Sequence, residues 1–327
     1  MLQKSQGKHK KVLITGGAGF IGSNLVRKLL STSGFEVFVI ENEAVSLWRL
    51  KDVENEITVK YVDLKKEKEV REVIGGIRPD VVFHLASYGV DREFRANERE
   101  MRLVNVGGTL NLALALNNNF PEIFVYVNTS LVYAPKDTKL KETDLVAPLD
   151  MYAATKYEAE EELQKIAREK GMSLIIARLF TSYGYYDGGQ RLIPYIILNA
   201  LRSELIDLLS PANVRDFIFI EDTLDFFIKV IGSNQSYQDN VFNVGSGQQQ
   251  RIADIIGVVE KILGKKLEVS YRQESSSVGE PKNFIADISR AKEIFDWEPQ
   301  HNFEQGLAKT IEWFKKNKDL YKINNKP

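Results

Sequence analysis

The sequence predicts an α/β fold in which a doubly wound parallel sheet is followed by a smaller α/β lobe. Short, fully apolar runs alternate with helical patterns through the first half of the chain, and a glycine-rich loop joins the first run to the first helix. Apolar strands that alternate with helices are typical of a parallel sheet covered on both faces. At 327 residues the chain is long enough to form two lobes.

The elements of the first lobe follow from apolar runs and helical periodicity. KVLITGG predicts a buried strand, and GSNLVRKLLSTSG predicts a helix that stops at Gly34. The strand series continues with EVFVIEN, ITVKYVDL, DVVFHLAS, IFVYVNTS and SLIIARLF. Helical stretches such as EKEVREVIGGI and GGTLNLALALNN lie between most of these strands. The series predicts a first domain over residues 1–180.

The pattern changes after about Phe180, where TSYGYYDGGQ is rich in glycine and tyrosine. LIPYIILNALRSE and the closing FEQGLAKTIEWFKKN are predicted helices. Two further segments, VRDFIFIEDTLDFFIKVI and NVFNVGSGQQQRIADIIGVVEKILG, each predict a strand that leads into a helix. We therefore predict a second lobe over residues 181–327, with the chain returning to the first domain around 215–245.

Composition excludes several classes of function. A formal net charge of −1 gives no overall attraction for nucleic acid or for an anionic membrane. No apolar run approaches the roughly 18–20 residues that span a bilayer. The chain has no cysteine, and its three histidines, His9, His84 and His301, lie far apart. We expect a cytoplasmic protein with no metal site, no nucleic-acid partner and no membrane contact.

A dinucleotide-binding loop is indicated by VLITGGAGFIGSNLV, which places Gly16, Gly19 and Gly22 between a strand and a helix. Glycine at the first two positions lets a pyrophosphate approach the backbone and the helix N-terminus, and glycine at the third lets the helix pack closely. The strand-to-helix context favours this interpretation over an ordinary turn. The first domain is therefore predicted to be Rossmann-type, with Phe20 and Ile21 also beside the cofactor.

Glu41 ends the second predicted strand, nineteen residues after Gly22. An acid at this position can accept both ribose hydroxyls of adenosine, and it would repel a 2′-phosphate. Glu41, with Asn42 beside it, therefore favours NAD. Arg49 could instead partner a phosphate, which leaves NADP open as the alternative cofactor, and an exposed loop glutamate is the structural alternative for Glu41.

Two Tyr-x-x-x-Lys pairs occur in the chain. Tyr152 and Lys156 begin a predicted helix, where side chains four residues apart share one face. An ammonium beside a phenol stabilises the phenolate and so lowers the pKa of a phenol from about 10 toward neutrality. Tyr61 and Lys65 lie at a strand end, where this spacing shares no face. The first pair is the candidate for acid–base chemistry, and an ordinary exposed helix start is its structural alternative.

Taken together, these motifs resemble those of the extended short-chain dehydrogenase/reductase superfamily, in particular the NAD-dependent epimerases and dehydratases of nucleotide sugars. TGGAGFIG is similar to the family signature, and the resemblance covers nearly the whole chain. It implies an enzyme with a Rossmann-type NAD-binding domain and a substrate-binding C-terminal lobe. The further cofactor contacts that it implies are Asp63 and Leu64 in YVDL, Ala86 and Ser87 in FHLAS, Asn105 in NVGGTLNL, and Lys156 at the nicotinamide ribose.

The resemblance also adds a third catalytic residue. VYVNTSLVYA is similar to the family pattern S-T/S-x-x-V-Y-G, which puts Thr129 at the catalytic hydroxyl, next to Ser130. Its hydroxyl is expected to share a hydrogen bond with the sugar oxygen that Tyr152 protonates or deprotonates. Ser130 and Leu131 occupy the positions where 4,6-dehydratases usually carry an Asp-Glu pair. The sequence therefore argues against a 4,6-dehydratase.

Substrate contacts are implied mainly in the second lobe. RLFTSYG is similar to R-x-F-N-x-Y-G, with Thr181 in place of an asparagine that contacts the diphosphate of the substrate. RLIPYI places Arg191 and Leu192 at the nucleotide, and NVRDFIFIED places Arg215 at an arginine that pairs with the diphosphate. A salt bridge of Arg215 with Asp216 is the structural alternative.

Two departures from the family pattern concern the substrate. Ser277 replaces an arginine of the family's R-P-G-D/E, so either the substrate is unusual or Arg272 or Lys282 compensates. The segment ASYGVDREFRANEREM is charged where relatives carry a proline-containing stretch. Tyr88 and Arg92 in this segment are predicted to face the sugar, and a solvated charged helix is the alternative for Arg92.

Three functions compete on these observations. In an epimerase, Tyr152 removes a hydroxyl proton as NAD takes the hydride, and return of the hydride to the other face of a 4-keto sugar inverts the centre. An NAD(P)H-dependent 4-ketoreductase would use the same three residues. A non-catalytic dinucleotide-binding protein would not need Thr129, Tyr152 and Lys156. We predict the epimerase of a nucleotide sugar, as a homodimer formed through GGTLNLALALNN and TKYEAEEELQKIAREK.

Overall fold

The structure is a computed structural model that describes residues 9–89, 97–116, 119–208, 214–233, 240–272 and 284–321. Three positions singled out in the sequence, Arg92, Ser277 and Lys282, lie outside these ranges. In the described ranges no helix is long and apolar enough to cross a membrane.

The described residues form thirteen strands, and seven of these strands make one large sheet. The strands in chain order are β1 (Lys10–Thr15), β2 (Phe35–Glu41), β3 (Thr58–Tyr61), β4 (Val81–His84), β5 (Ile123–Thr129), β6 (Leu174–Leu179), β7 (Thr181–Tyr183), β8 (Ile206–Leu208), β9 (Val214–Arg215), β10 (Phe217–Phe219), β11 (Asn240–Val244), β12 (Gln250–Arg251) and β13 (Val269–Tyr271). The large sheet has the order β3-β2-β1-β4-β5-β6-β11, and the remaining strands form two-stranded sheets. The pairs β1–β2, β2–β3, β1–β4 and β4–β5 are parallel. The predicted parallel sheet is confirmed.

Helices connect most of the strands of this sheet. They are α1 (Phe20–Ser31), α2 (Glu67–Ile77), α3 (Glu98–Met101), α4 (Thr109–Ala115), α5 (Met151–Lys170), α6 (Leu192–Arg202), α7 (Ile220–Gly232), α8 (Ile252–Leu263), α9 (Ser289–Phe295) and α10 (Phe303–Asn317). A π-helix, Arg102–Gly108, joins α3 to α4. Parallel strands need such crossovers because the chain must return to the same end of the sheet before each new strand.

Both faces of the large sheet are covered. Leu13 of β1 belongs to a core cluster that includes apolar residues of α2, α4 and α5. Its neighbours Val12 and Ile14 point to the opposite face, because successive side chains of a strand alternate, and they are also 0% exposed. The fully apolar strand sequences are therefore explained by burial on both faces.

The ends of α5 determine where its side chains lie. Asp150 is the N-cap, and its Oδ1 accepts a hydrogen bond from the Ala153 N–H at 2.8 Å. The helix ends at Gly171, whose φ of 69° lies in the left-handed region that glycine adopts readily. Tyr152 therefore lies in the first turn, and Lys156 lies one turn further along the same face.

The chain divides into two compact units. The first comprises Met1–Val132, Val146–Arg178 and Ile231–Phe242, and the second comprises Tyr133–Leu145, Leu179–Val230 and Asn243–Pro327. The domain boundaries given from the sequence stay a prediction. In the second unit, the ring of Tyr183 packs against those of Phe217, Phe219 and Phe303, with centroid distances of 5.5 to 6.3 Å.

Candidate active site

The loop between β1 and α1 leaves no room for side chains at Gly16 and Gly22. Gly16 has a φ of 74°, and a Cβ atom there would lie 2.7 Å from the backbone nitrogen of Ala86. A Cβ atom at Gly22 would lie 2.7 Å from the Cα of Gly17. Glycine is required at both positions because no shift of a flexible side chain could relieve these contacts. The loop thus has the closely packed backbone of a pyrophosphate-binding turn.

No side chain caps the N-terminus of helix α1. Its N-cap is Gly19, so no side chain caps the first N–H groups, and the first turn, which includes Phe20 and Ile21, carries no acidic residue. The N-terminus of a helix carries a partial positive charge and free N–H donors, both of which suit a pyrophosphate. The residues of this loop therefore fit the dinucleotide predicted from the sequence.

Glu41 lies against the glycine loop at the end of β2. Its side chain is buried, and Oε1 accepts a hydrogen bond from the Ala18 N–H at 2.5 Å. Burial raises the pKa of Glu41 to about 7, although hydrogen bonds from the backbone of Ala18 and Asn42 oppose the rise. Arg49 donates to the carbonyl of Ala18 at 3.4 Å. The contact of Glu41 and Asn42 with the adenosine ribose stays a prediction.

Asp63 and Leu64 follow β3, one strand further from the centre of the sheet. The side chain of Asp63 accepts from the Lys65 N–H at 3.0 Å and lies 3.5 Å from Nζ of Lys65. Lys65 also forms an ion pair with Glu100. Tyr61 is the last residue of β3, and its side chain is exposed. The second Tyr-x-x-x-Lys pair therefore shares no helical face, as predicted.

A buried hydrogen-bond chain connects β1, β4 and α4. Thr109 Oγ1 donates to the carbonyl of Asn105 at 2.6 Å, so it accepts from Nε2 of His84 at 2.7 Å. His84 Nδ1 in turn accepts from Thr15 Oγ1 at 2.6 Å. Burial lowers the pKa of His84 well below its usual range, and the charge of Lys156 lowers it further. His84 is therefore a neutral imidazole with its proton on Nε2.

Asn105 holds the turn that follows β4, where Ala86 and Ser87 lie. Its Oδ1 accepts from the Tyr88 N–H at 2.7 Å, and its Nδ2 donates to the Tyr88 carbonyl and to Thr155 Oγ1, each at 3.0 Å. These bonds use the amide to join the turn to α5. Cofactor contacts of Ala86, Ser87 and Asn105 stay predictions.

The structure brings the end of β5 and the first turns of α5 together. Tyr126 of β5 donates its phenol hydrogen to the Lys156 carbonyl at 3.0 Å, and Nζ of Lys156 lies 4.1 Å from the Tyr126 ring centroid. Thr129 ends β5, and its Oγ1 accepts from the Leu131 N–H at 3.2 Å. A Cβ atom at Gly89 would lie 3.7 Å from the ring of Tyr152, so the turn after β4 also borders this site.

Lys156 is buried, which changes its charge state. Only 2% of the residue is exposed. Burial lowers the pKa of Lys156 from 10.5 to about 7, and the nearby Glu160 carboxylate opposes the change. A lysine with this pKa changes its charge near neutrality, which suits a residue that assists proton transfer.

A polar cluster that was not predicted from the sequence lies beside these residues. Asn128, Glu160 and Arg178 are all buried, and Asn128 and Arg178 each donate a hydrogen bond to the Glu160 carboxylate. One signal was available: Glu160 follows Lys156 by four residues and so lies on the same stripe of α5. Nothing in the spacing pointed to Asn128 or Arg178.

The predicted substrate residues Thr181, Arg191 and Leu192 lie in the second unit. Thr181 begins β7, and its N–H donates to the Asp216 carbonyl at 3.0 Å. Arg191 is the N-cap of α6, which begins at Leu192, and its Nε lies 3.3 Å from the Asp187 carboxylate. Their contacts with a substrate stay predictions, as does that of Tyr88 in the first unit.

Two further arginines of the second unit, Arg215 and Arg272, are candidates for binding a diphosphate. Arg215 lies in β9 opposite Gln250, and its guanidinium donates to the Val214 carbonyl at 2.8 Å. The adjacent Asp216 carboxylate accepts hydrogen bonds from Ser246, Gly247 and Ala286. Arg272 donates to the Asp207 carboxylate at 2.6 Å, so its charge is already balanced.

Over the described residues, no group of three or more His, Cys, Asp or Glu side chains could hold a metal ion.

Comparison with known proteins identifies the class. The model of the NAD dependent epimerase/dehydratase family matches residues 12–245, and the chain belongs to this family of enzymes. The membership confirms the resemblance found in the sequence and the Rossmann-type fold. It also confirms NAD as the cofactor, because dependence on NAD defines the family.

Curated relatives differ in the reaction that their names state. The chain is 28% identical over 311 residues to an uncharacterized UDP-glucose epimerase of Bacillus subtilis, covering 92% of this chain and 96% of the relative. It is 26% identical over 347 residues to dTDP-glucose 4,6-dehydratase of Escherichia coli, covering 95% of each. It is 28% identical over 330 residues to UDP-glucuronic acid decarboxylase 1 of Xenopus tropicalis, covering 98% of this chain and 76% of the relative.

Solved structures share the fold over almost the whole chain. UDP-glucose 4-epimerase of Thermotoga maritima, solved with UDP-glucose, has a TM-score of 0.84 at 26% identity, covering 94% of this chain and 99% of that one. UDP-glucuronic acid 4-epimerase of Bacillus cereus, solved with UDP-glucuronic acid and NAD, has a TM-score of 0.83 at 26% identity, with the same coverage.

Proposed function

We propose that the protein is an NAD-dependent epimerase of a nucleoside-diphosphate sugar that acts through a transient 4-keto intermediate. One observation carries the proposal: Tyr152 and Lys156 share a face at the start of α5, beside the end of β5 that carries Thr129. The two positions after Thr129 are Ser130 and Leu131 instead of acids.

Each of the three residues has a distinct role in this proposal. Tyr152 removes the proton of the C4 hydroxyl and later returns it. Thr129 donates a hydrogen bond to the same oxygen. Lys156 stabilises the phenolate of Tyr152, because a buried ammonium interacts strongly with a neighbouring anion where water is excluded. NAD, when bound, accepts the C4 hydride and returns it.

The missing carboxylates distinguish this proposal from a 4,6-dehydratase. Elimination of water from the sugar requires a base to take the C5 proton and an acid to protonate the leaving hydroxyl. Leu131 can do neither, and Ser130 is a weak base at neutral pH. The residues of this site therefore fit the reaction of the relatives named as epimerases better than the reaction of the relative named as a 4,6-dehydratase.

The remaining parts of the proposal concern the substrate and the assembly. Thr181, Arg191, Leu192 and Arg215 are proposed to hold the nucleotide and its diphosphate, with Tyr88 beside the sugar. A homodimer through the segments GGTLNLALALNN and TKYEAEEELQKIAREK is part of the proposal, and Leu114 in the first segment, which is 43% exposed, supports it. A cytoplasmic location completes it.

The test follows a hydrogen isotope. Purified protein is incubated with UDP-glucose, UDP-glucuronate or dTDP-glucose deuterated at C4, and the products are identified by NMR. The proposal predicts interconversion of C4 epimers with deuterium retained at C4 and no net change in NADH. The variant Tyr152→Phe is the control for a contaminating enzyme.

Other products contradict the proposal in recognisable ways. Loss of water with solvent hydrogen at C5 indicates a dehydratase, and release of carbon dioxide indicates a decarboxylase. Stoichiometric consumption of NADH or NADPH with a 4-keto sugar indicates the ketoreductase. Denaturing the purified protein and identifying the released nucleotide by mass separates tightly held NAD, which a recycling epimerase needs, from exchangeable NADPH.

A further inference from the structure

A buried polar cluster lies beside the proposed catalytic residues. Asn128 of β5, Glu160 of α5 and Arg178 of β6 are 2%, 1% and 4% exposed. The cluster therefore joins two neighbouring strands to the helix that carries Tyr152 and Lys156. Buried polar groups are costly unless they are satisfied, so the contacts within the cluster constrain its geometry strongly.

Glu160 and Arg178 form the fixed part of this cluster. The guanidinium of Arg178 binds both carboxylate oxygens of Glu160, through Nη2 to Oε1 and through Nε to Oε2 at 3.3 Å. Such a two-point contact fixes the plane of the carboxylate. It leaves Oε2 pointing at the side chain of Asn128, whose Nδ2 lies at 2.5 Å.

The amide of Asn128 has only one possible orientation in this setting. The ionised carboxylate of Glu160 only accepts hydrogen bonds, so the NH₂ group of Asn128 must face it. Oδ1 then faces the other way and accepts from the backbone N–H of Thr129 at 2.7 Å. Nδ2 also lies 3.5 Å from the carbonyl of Lys156. One side chain thus contacts the backbone of Thr129 and the turn of α5 that carries Lys156.

We propose that Asn128 is a positioning residue, which holds Thr129 and the Lys156 turn in register and is itself held by the Glu160–Arg178 pair. The proposal rests on the proposed function for the roles of Thr129 and Lys156. An ionised aspartate, a serine or a leucine could not make both contacts, because these side chains do not offer a donor on one side and an acceptor on the other at the reach of an amide.

At Asn128 this chain departs from the family pattern that it resembles. The pattern S-T/S-x-x-V-Y-G that NTSLVY resembles has serine at this position. A serine hydroxyl is too short to reach both Glu160 and the Thr129 N–H from the same backbone. In this chain the longer amide joins the two catalytic elements directly.

Replacement of Asn128 by leucine tests the positioning role, since leucine has a similar volume and no polar atom. We expect kcat for the epimerised sugar to fall roughly 10- to 100-fold, the loss that follows a small displacement of reacting groups. KM and the content of bound NAD should stay within about threefold of wild type, because Asn128 contacts neither ligand in the proposal. Asn128→Ser should change kcat in the same direction, and it replaces the leucine variant if that variant does not fold.

Asn128→Asp separates positioning from packing through its pH profile. The introduced carboxylate would face Glu160, and two adjacent carboxylates cannot both stay charged, so the pair takes up a proton at a raised pH. The protonated pair regains a donor toward Glu160 and an acceptor for Thr129. We therefore expect kcat of the variant, relative to wild type, to rise about tenfold or more from pH 8.5 to pH 5.5. The other titratable groups around this cluster are Arg178, which binds Glu160, Lys156, whose carbonyl lies near Asn128, and Tyr126, whose ring lies beside Lys156 and His84.

Two further measurements separate a positioning role of Asn128 from a general loss of stability. Hydrogen exchange of the Thr129 amide should be at least about tenfold faster in Asn128→Leu, because its acceptor is gone. Leu163→Ala, a core change on α5, is the matched control: it should destabilise the protein without changing the pH profile of kcat. Wild-type kcat and amide exchange in Asn128→Leu, or a flat pH ratio in Asn128→Asp, would overturn the proposal. If wild type epimerises none of the sugars, the proposed function fails, while amide exchange still decides whether Asn128 holds Thr129.

Discussion

The two Tyr-x-x-x-Lys pairs have the same spacing and opposite surroundings. Tyr61 ends β3 with 48% of its surface exposed, and Lys65 forms ion pairs with Glu100 and Asp63. Tyr152 lies in the first turn of α5, and Lys156 is buried against the ring of Tyr126. Only the second pair is held on one face of a helix.

The difference appears in the charge of the two lysines. The hydrogen bond to Glu100 is the largest influence on Lys65 and raises its pKa, so the ammonium stays charged. Burial is the largest influence on Lys156 and lowers its pKa to about 7. The same four-residue spacing thus gives a lysine that is charged at neutral pH in one place and a lysine that changes its charge near neutrality in the other. The burial of the lysine, and not the Tyr-x-x-x-Lys spacing alone, therefore decides which pair is suited to acid–base chemistry.

The largest expected effect separates the two tyrosines. Tyr152→Phe should lower kcat by roughly 10²- to 10⁴-fold, the usual contribution of a positioned acid–base group. Tyr61→Phe should leave kcat within about twofold of wild type, because its hydroxyl lies on an exposed strand end. The C4-deuterated sugar assay measures both variants. Equal losses in the two variants would remove the distinction between the pairs.

The next effect concerns stability. Lys156→Met should abolish turnover and yet stabilise the protein at pH 7 by up to about 4 kcal/mol, because burial lowers the pKa of Lys156 from 10.5 to about 7 and so makes the ammonium costly in the folded protein. Lys65→Met should instead change stability by about 1 kcal/mol or less. Urea denaturation of the two variants and wild type gives the comparison. A destabilised Lys156→Met variant would contradict the account of Lys156 as a costly buried charge.

The difference in stability between wild type and Lys156→Met should depend on pH, and its direction follows from the lowered pKa of Lys156. Because the folded-state pKa of Lys156 is lowered from 10.5 to about 7, the native protein binds fewer protons than the unfolded chain between these values. The stability of wild type relative to Lys156→Met should therefore be greatest above pH 10.5 and should fall as the pH decreases through about 7. Denaturation curves at pH 6, 8 and 10 measure this difference.

A smaller effect is expected at Glu41, the acid that lies against the glycine loop. Its folded-state pKa is raised from 4.5 to about 7, so the contribution of Glu41 to stability is complete below pH 4.5 and is lost as the pH rises through about 7. The loss in the cofactor-free protein is up to about 3 kcal/mol. Glu41→Gln should remove it at pH 8 while weakening NAD binding, and Glu36→Gln, at an exposed position of the same strand, is the control. Unchanged pH dependence in Glu41→Gln would contradict the assignment.

The smallest effect concerns the ion pair of Lys65 with Glu100. Their side chains are 30% and 27% exposed, and partly solvated pairs contribute about 1 kcal/mol or less. Glu100→Gln should therefore lower the free energy of unfolding by no more than this amount, with kcat unchanged. Thermal unfolding in low and high salt measures the contribution. A loss of several kcal/mol, or any loss of turnover, would show that the Tyr61–Lys65 region matters more than its exposure indicates.

The sequence predicted the parts of this molecule that depend on local pattern. The apolar runs gave the strands of the parallel sheet, and the glycines gave the turn at Gly16, because these features need only neighbours in the chain. The start of α5 could be predicted in the same way. It places Tyr152 and Lys156 four residues apart on one face.

The parts that could not be predicted depend on contacts between distant residues. Asn128 meets Glu160 across 32 positions, and Glu160 meets Arg178 across 18, so no local pattern contains the cluster. The predicted helical stretch GGTLNLALALNN begins only at Gly107, so most of the π-helix at Arg102–Gly108 was not predicted, and Asn105 within it is bonded to Tyr88 and Thr155. The burial of Lys156 likewise arises from the packing of α5 on β5.

The most direct test of this account is a titration of the two lysines. Protein labelled with ¹³C and ¹⁵N at lysine is followed by NMR from pH 5 to pH 11, with Lys156→Met and Lys65→Met used to assign the side-chain signals. Lys156 is predicted to titrate near pH 7, and Lys65 is predicted to stay charged beyond its ordinary pKa of 10.5. Titration of both lysines near 10.5 would contradict the claim that burial at the start of α5 distinguishes the two pairs.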